Sequence, residues 1–140
     1  MTGARDLPEG PWKVLFARAM TLLDDLAAPN LLQDAWEYWH IGGHRVRVER
    51  TGEIIAKKMY HRGHQASARD LFDLCLVIER EPEALDSAVP FLARHRDAFL
   101  ARIQEPSVVL EAAFEAIDTR NYAPTLAYCV DLAKHYLESC

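Results

Sequence analysis

The sequence predicts a mostly α-helical fold, with about six or seven helices in one bundle-like domain and one short β-strand or hairpin near residues 44–50. Apolar residues recur at intervals of three and four along most of the chain, and prolines and glycines divide this pattern into segments. Only one short segment alternates strictly between apolar and polar residues. With 140 residues, half of them hydrophobic, the chain suits a single domain over 1–140. Residues 1–50 are expected to hold N-terminal helices and the strand, and residues 51–140 the remaining helices.

The first 50 residues predict two helices and one strand. An amphipathic helix is expected over residues 12–27, ending before Pro29. A shorter helix is expected from Leu31 to about Trp39, ended by Gly42-Gly43. From residue 44 to residue 49 valines and arginines alternate, which predicts a strand with an apolar and a basic face.

The rest of the chain predicts helices only. The clearest start is at Ser67, where Ser67 and Asp70 have the spacing of a capping box. The predicted helices run from 52 to about 62 after Thr51, over 68–80, over 83–88, from Pro90 through Ile103, from Ser107 through Ile117, and from Pro124 to the last residues.

Charge is distributed unevenly along the chain. The formal net charge is −5, yet residues 44–69 hold seven Lys/Arg against two Glu, while the remainder holds nine Lys/Arg against nineteen Asp/Glu. A basic segment in an acidic chain suits phosphates or an acidic partner. The simpler alternative is a solvated basic surface that pairs with the acidic remainder, and charge alone does not decide between the two.

Cysteine usage and hydropathy exclude several classes of protein. Cys75, Cys129 and Cys140 form an odd set without CxxC spacing, so neither a disulfide framework nor a zinc ribbon is expected. No apolar run approaches the roughly 20 residues of a membrane span, and the first residues form no secretory segment. We therefore expect a cytoplasmic protein that has no contact with membranes.

One acidic residue breaks an apolar run. Residues 71–78 are apolar except for Asp73, and a helix that is apolar all round is buried. A buried carboxylate needs a cation or strong hydrogen bonds, and Arg69 lies one turn earlier. Lys58 borders the apolar stripe of the preceding helix and is the second candidate partner. The predicted polar pocket is floored by Asp70 and Asp73 and rimmed by Lys58, Arg62 and Arg69. From the residues alone, the pocket fits a structural ion pair or a phosphate or metal site.

The same residues carry a family resemblance. Residues 53–59 read EIIAKKM, Arg62 follows, and residues 68–74 read ARDLFDL. This stretch resembles the distal signature of the AbiEii/AbiGii-type nucleotidyltransferase toxins, roughly E-x-x-A-x-K-[LIM] followed by R-D-x-x-D-L. The agreement extends over residues 53–80.

The resemblance implies roles for individual residues. Lys58, Arg62 and Arg69 would contact substrate phosphates, and Asp70 and Asp73 are the candidate catalytic carboxylates. It also implies a nucleoside triphosphate with Mg²⁺, or an RNA phosphate, as ligand, and an antitoxin as partner.

The chain departs from the family pattern before this stretch. The family has an earlier Gly-Gly-[Ser/Thr] turn and then a strand with an Asp-x-[Asp/Asn] pair that holds the metal. Here His44 follows Gly42-Gly43, and no aspartate lies between Gly43 and Asp70. The sequence therefore predicts a truncated or internally deleted relative that keeps the phosphate-contacting site and a strand remnant of the α/β fold. No metal ligand is assigned, and enzymatic activity stays open.

Two other classes of function remain. The chain could be a helical interaction module or a homodimer without enzymatic activity, in which the same charges only hold helices together. A small helical ribonuclease of the HEPN type fits the size, but no arginine has its histidine at the required spacing. An aromatic cluster of Trp36, Tyr38 and Trp39 fits a core, an interface or a base-stacking surface.

Overall fold

Helices make up most of the part of the chain that the structure, a computed structural model, describes: residues 5–6 and 29–140. The predicted helix over residues 12–27 lies outside these ranges. The strands are β1 (Arg5–Asp6), β2 (Trp36–Ile41) and β3 (His44–Glu49). The α-helices are α1 (Thr51–Arg62), α2 (Ala68–Arg80), α3 (Val89–Leu92), α4 (Arg96–Gln104), α5 (Val108–Glu115) and α6 (Leu126–Glu138). Two 3₁₀ helices span Gly63–Gln65 and Pro82–Ala88. The predicted fold class, mostly helical with one short hairpin, is confirmed.

The small sheet has the order β1-β2-β3. Strands β2 and β3 are antiparallel, with pairs from Trp36↔Glu49 to Ile41↔His44, and β1 lies parallel to β2. Gly42 and Gly43 connect β2 to β3 with φ angles of 58° and 78°. Positive φ at both central residues is the requirement of a type I′ turn, whose twist matches that of a hairpin.

The helix predicted from Leu31 to Trp39 is wrong, because residues 36–41 form strand β2. Glu37 and Trp39 are buried while Trp36 and Tyr38 are partly exposed, so the aromatic residues follow a period of two rather than a helical stripe. Gly42-Gly43 serves as a hairpin turn and not as a helix C-cap. The predicted strand at His44–Glu49 is confirmed with the same bounds.

The start of α1 also differs from the prediction. Thr51 is the first helical residue rather than the cap, and the N-cap is Arg50, whose side chain makes no capping hydrogen bond. The Thr51 hydroxyl instead donates to Glu81 Oε2 at 3.3 Å, which ties the start of α1 to the end of α2.

The single helix predicted from Pro90 through Ile103 is two helices, α3 and α4. His95, with φ −116° and ψ 19°, leaves the helical conformation between them. Its ring lies 4.5 Å from the ring of His64, centroid to centroid, and its Cβ lies close to Gly63. The break in the helix thus coincides with a tertiary contact to the 3₁₀ helix after α1.

Helix α2 occupies the centre of the described part. It contacts α1, α5, α6 and the Pro82–Ala88 segment, and most of its residues are buried. Helix α1 follows β3 after a single residue and packs against α2. Both helices are largely buried, so residues 51–62 and 68–80 lie next to each other. No helix in the described ranges is long and apolar enough to cross a bilayer.

Candidate functional site: a cation cluster between two helices

The start of α2 is fixed by the predicted capping box. The Asp70 N–H donates to Ser67 Oγ at 3.2 Å, and the Ser67 N–H donates to Asp70 Oδ2 at 3.1 Å. Two otherwise unpaired backbone donors are thereby satisfied. The box also holds the Asp70 carboxylate at the end of α2 that faces α1.

Asp73 lies one turn further along α2 and is 1% exposed. Lys58 Nζ donates to Asp73 Oδ2 at 2.5 Å. On the other side, Arg69 Nε lies 3.0 Å from Asp73 Oδ1, an ion pair that is not aligned as a hydrogen bond. The buried carboxylate is therefore compensated by two cations, one from each helix.

Asp70 has two partners in addition to its capping bonds. Arg62 Nη2 donates to Asp70 Oδ1 at 2.5 Å, and Lys58 Nζ lies 3.6 Å from the same oxygen. Lys58 thus bridges both aspartates. The structure brings all five residues singled out in the sequence into one network, which we call the Lys58 cluster: Lys58, Arg62, Arg69, Asp70 and Asp73.

The cluster is charged asymmetrically. Its two carboxylates are buried, whereas the side chains of Lys58, Arg69 and Arg62 are 22%, 22% and 54% exposed. Three cations against two carboxylates leave one excess positive charge, and the cations form the side that reaches solvent. Such an arrangement attracts anions rather than cations.

The cluster does not fit Mg²⁺. A divalent cation needs several oxygen ligands without competing positive charge, whereas every carboxylate here already contacts a lysine or arginine. Across residues 5–6 and 29–140, no group of three or more His, Cys, Asp or Glu side chains is arranged to hold a metal.

Sequence reasoning missed a second buried network on another face of α1. Lys57 Nζ lies 2.5 Å from Glu49 Oε1 and 3.8 Å from Glu53 Oε1. The fully buried Glu53 accepts hydrogen bonds from the N–H groups of Leu31 and Leu32 at 2.7 and 2.9 Å. The available signal was the i,i+4 pair of Glu53 and Lys57 around the apolar residues 54–56. This network fixes α1 to the segment that precedes the hairpin.

Comparison with known proteins identifies the class of protein. Residues 21–138 match the family model of the AbiEii nucleotidyl transferase toxin of type IV toxin–antitoxin systems. Because the match covers most of the 140 residues, the chain belongs to this family. No curated protein and no solved structure matches the chain.

Proposed function

We propose that the Lys58 cluster is the phosphate-contacting site of a nucleotidyltransferase-like protein that binds the triphosphate of a nucleotide. The observation that carries the proposal is the excess of cations on the solvent side of two buried carboxylates. Membership in the AbiEii family supports the choice of a nucleotide as the ligand. An RNA phosphate would meet the same cations.

Each cation has a distinct task in this proposal. Lys58 supplies a compact point charge to a phosphate oxygen, while Asp70 and Asp73 hold its ammonium group in place. Arg69 contacts Asp73 through Nε, and we propose that its two terminal nitrogens form paired bonds to phosphate. Arg62, the most exposed of the three, completes the rim. The aspartates are thus positioning residues and not metal ligands.

We further propose that the chain by itself binds nucleotide without transferring it efficiently. Nucleotidyl transfer depends on metal ions that neutralise charge on the reacting phosphate. The sequence has no Asp-x-Asp or Asp-x-Asn pair after Gly43, and the two aspartates of the cluster already pair with cations. Among residues 5–6 and 29–140, no group of carboxylates is arranged to hold that metal. The family also suggests an antitoxin as a partner in the cell.

Calorimetric titration with nucleoside triphosphate and Mg²⁺ tests the binding site. We expect Lys58→Ala to weaken binding by about tenfold or more, the effect of losing a charged hydrogen bond. Lys134→Ala, which removes an exposed lysine of α6, is the matched control and should bind like the wild type. Equal affinity in all three proteins, or no binding in any, would overturn the proposal.

A transfer assay with labelled nucleoside triphosphate and total RNA tests the second proposal. We expect the wild type to transfer no more label to RNA than the Lys58→Ala variant does, because the Lys58 cluster offers no site for Mg²⁺. Incorporation that depends on Lys58 in the chain alone would contradict this expectation.

One observation favours a second candidate function, a helical interaction module that forms a homodimer. Val108 and Val109 at the start of α5 are 81% and 80% exposed, beside a groove of about 910 Å³ whose lining includes Leu110 and Phe114. Exposed apolar surface of this kind favours association. Analytical ultracentrifugation separates the candidates, since a clean monomer at high concentration argues against the module.

A further inference from the structure

The hairpin presents a basic and aromatic outer face. Side chains alternate across a strand, so Trp36 and Tyr38 of β2 share one face with Arg45 and Arg47 of β3. In the register of the hairpin, Arg47 lies opposite Tyr38, and Trp36 is its diagonal neighbour.

The four side chains interleave. The guanidinium carbon of Arg45 lies 4.0 Å from the centre of the Tyr38 ring, and that of Arg47 lies 4.4 Å from the centre of the Trp36 ring. Each arginine therefore lies over the diagonal aromatic neighbour on the opposite strand, within the distance of a cation–π contact. We call these four residues the arginine–aromatic ladder.

The ladder is open to solvent and positively charged. Arg45 and Arg47 are exposed, Trp36 and Tyr38 are partly exposed, and neither arginine pairs with a carboxylate within the described ranges. Glu49, at the end of the same face, is buried against Lys57. The outer face therefore keeps the positive charge of both arginines.

We propose that the arginine–aromatic ladder binds single-stranded nucleic acid. Unpaired bases stack on aromatic rings and on the planes of arginine guanidinium groups, and the same arginines attract the phosphate backbone. In a duplex the bases stack on one another, so a duplex can contact the arginines through its phosphates but has no unpaired base to stack on the aromatic rings.

This inference goes beyond the proposed function and uses different residues. The two surfaces are joined by α1, in which Lys57 lies beside the ladder, 5.9 Å from the Trp36 ring centre, and the next residue, Lys58, belongs to the cluster. A nucleic-acid strand held on the ladder would therefore lie next to the helix that carries Lys58.

Fluorescence anisotropy with labelled oligouridine, oligothymidine and a duplex, each of about 15 nucleotides per strand, tests the proposal. Both single strands should bind more tightly than the duplex, and the tighter of the two identifies RNA or DNA as the preferred ligand. Binding should weaken as salt rises from about 50 to 200 mM. A duplex that binds as tightly as the single strands would overturn the proposal.

Two double variants assign the binding to the ladder. Arg45→Gln with Arg47→Gln should weaken single-strand binding by about tenfold or more. The control, Arg94→Gln with Arg120→Gln, changes the net charge equally and removes another arginine–tyrosine contact, that of Arg94 with Tyr60. An equal loss in both double variants would overturn the proposal.

Tryptophan fluorescence provides a second readout. A base that stacks on Trp36 should quench its emission, and Trp36→Phe, which keeps an aromatic ring, should remove that quenching while the protein remains folded by circular dichroism. Quenching that persists in Trp36→Phe would place the strand away from the ladder and contradict the proposal.

Discussion

At the scale of single residues, Asp73 is the position on which the Lys58 cluster depends. Its carboxylate is 1% exposed and contacts Lys58 and Arg69. Asp73→Ala removes the carboxylate partner of Arg69 and the nearer of the two carboxylates that contact Lys58, and we expect the free energy of unfolding to fall by about 3 kcal/mol. The value is at the low end of the range for buried pairs because both cations are partly exposed and water can screen them.

Urea denaturation of Asp73→Ala measures this loss. Asp97→Ala, which removes an exposed aspartate of α4, is the control and should change stability by less than about 0.5 kcal/mol. A loss of less than about 1 kcal/mol in Asp73→Ala would show that the buried ion pairs are not what holds the cluster together.

The three cysteines are expected to differ in reactivity. The Cys75 thiol donates to the Cys129 carbonyl at 3.2 Å, and hydrogen bonding to Cys129, followed by burial, raises the pKa of the Cys75 thiol. Cys129 is also buried, whereas Cys140 is exposed. Partial burial raises the pKa of the Cys140 thiol as well, so the expected difference rests on access: a thiol reagent at neutral pH should modify Cys140 in the native protein and all three cysteines after denaturation. Rapid modification of Cys75 in the folded protein would contradict the packing of α2 against α6.

At the scale of elements, Gly52 controls how α1 packs on the Pro82–Ala88 segment. A Cβ at Gly52 would lie 2.4 Å from the Ala84 carbonyl oxygen, which is backbone and must move to make room. A glycine-to-alanine substitution inside a helix ordinarily stabilises the helix by up to about 1 kcal/mol. Here we expect Gly52→Ala to destabilise the protein by about 1–3 kcal/mol, the range for overpacking. Thermal or urea denaturation gives the sign, and a melting temperature that stays equal or rises would contradict the packing.

Some of the secondary-structure elements can be predicted from neighbouring residues in the sequence, and others cannot. The capping box at Ser67 and the strand from His44 to Glu49 are encoded by neighbouring residues, so the sequence predicts both. Strand β2 was misassigned because Leu32, Ala35, Trp36 and Trp39 also fit helical spacing, and only pairing with β3 decides between the two. Local patterns do not predict the break before α4, which coincides with a contact between His64 and His95, two residues that are far apart in sequence.

The same limit applies to the candidate site. Lys58, Arg69 and Asp73 could be brought together from the sequence because an acid in an apolar helix demands cations nearby. The hydrogen bonds that Glu53 accepts from the N–H groups of Leu31 and Leu32 could not be predicted, since no local pattern tells which segment covers that face of α1.

At the scale of the whole molecule, five of the seven basic residues in 44–69 form two surfaces that adjoin helix α1, whereas Arg50 and Lys57 pair with carboxylates elsewhere. Lys58 and its neighbours form the cluster against α2, and the ladder occupies the outer face of the hairpin. The acidic remainder includes the carboxylates around the groove between α5 and α6. This separation gives an acidic protein a locally positive field at the two surfaces.

The affinity for inorganic triphosphate, measured by calorimetry without any nucleoside, is the most direct test of the central claim that the Lys58 cluster holds phosphate. The wild type and Lys134→Gln should bind equally, Lys58→Gln should bind at least about tenfold more weakly, and Lys58→Arg should retain part of the affinity. Equal affinities in the wild type and Lys58→Gln, with both proteins folded, would contradict the claim.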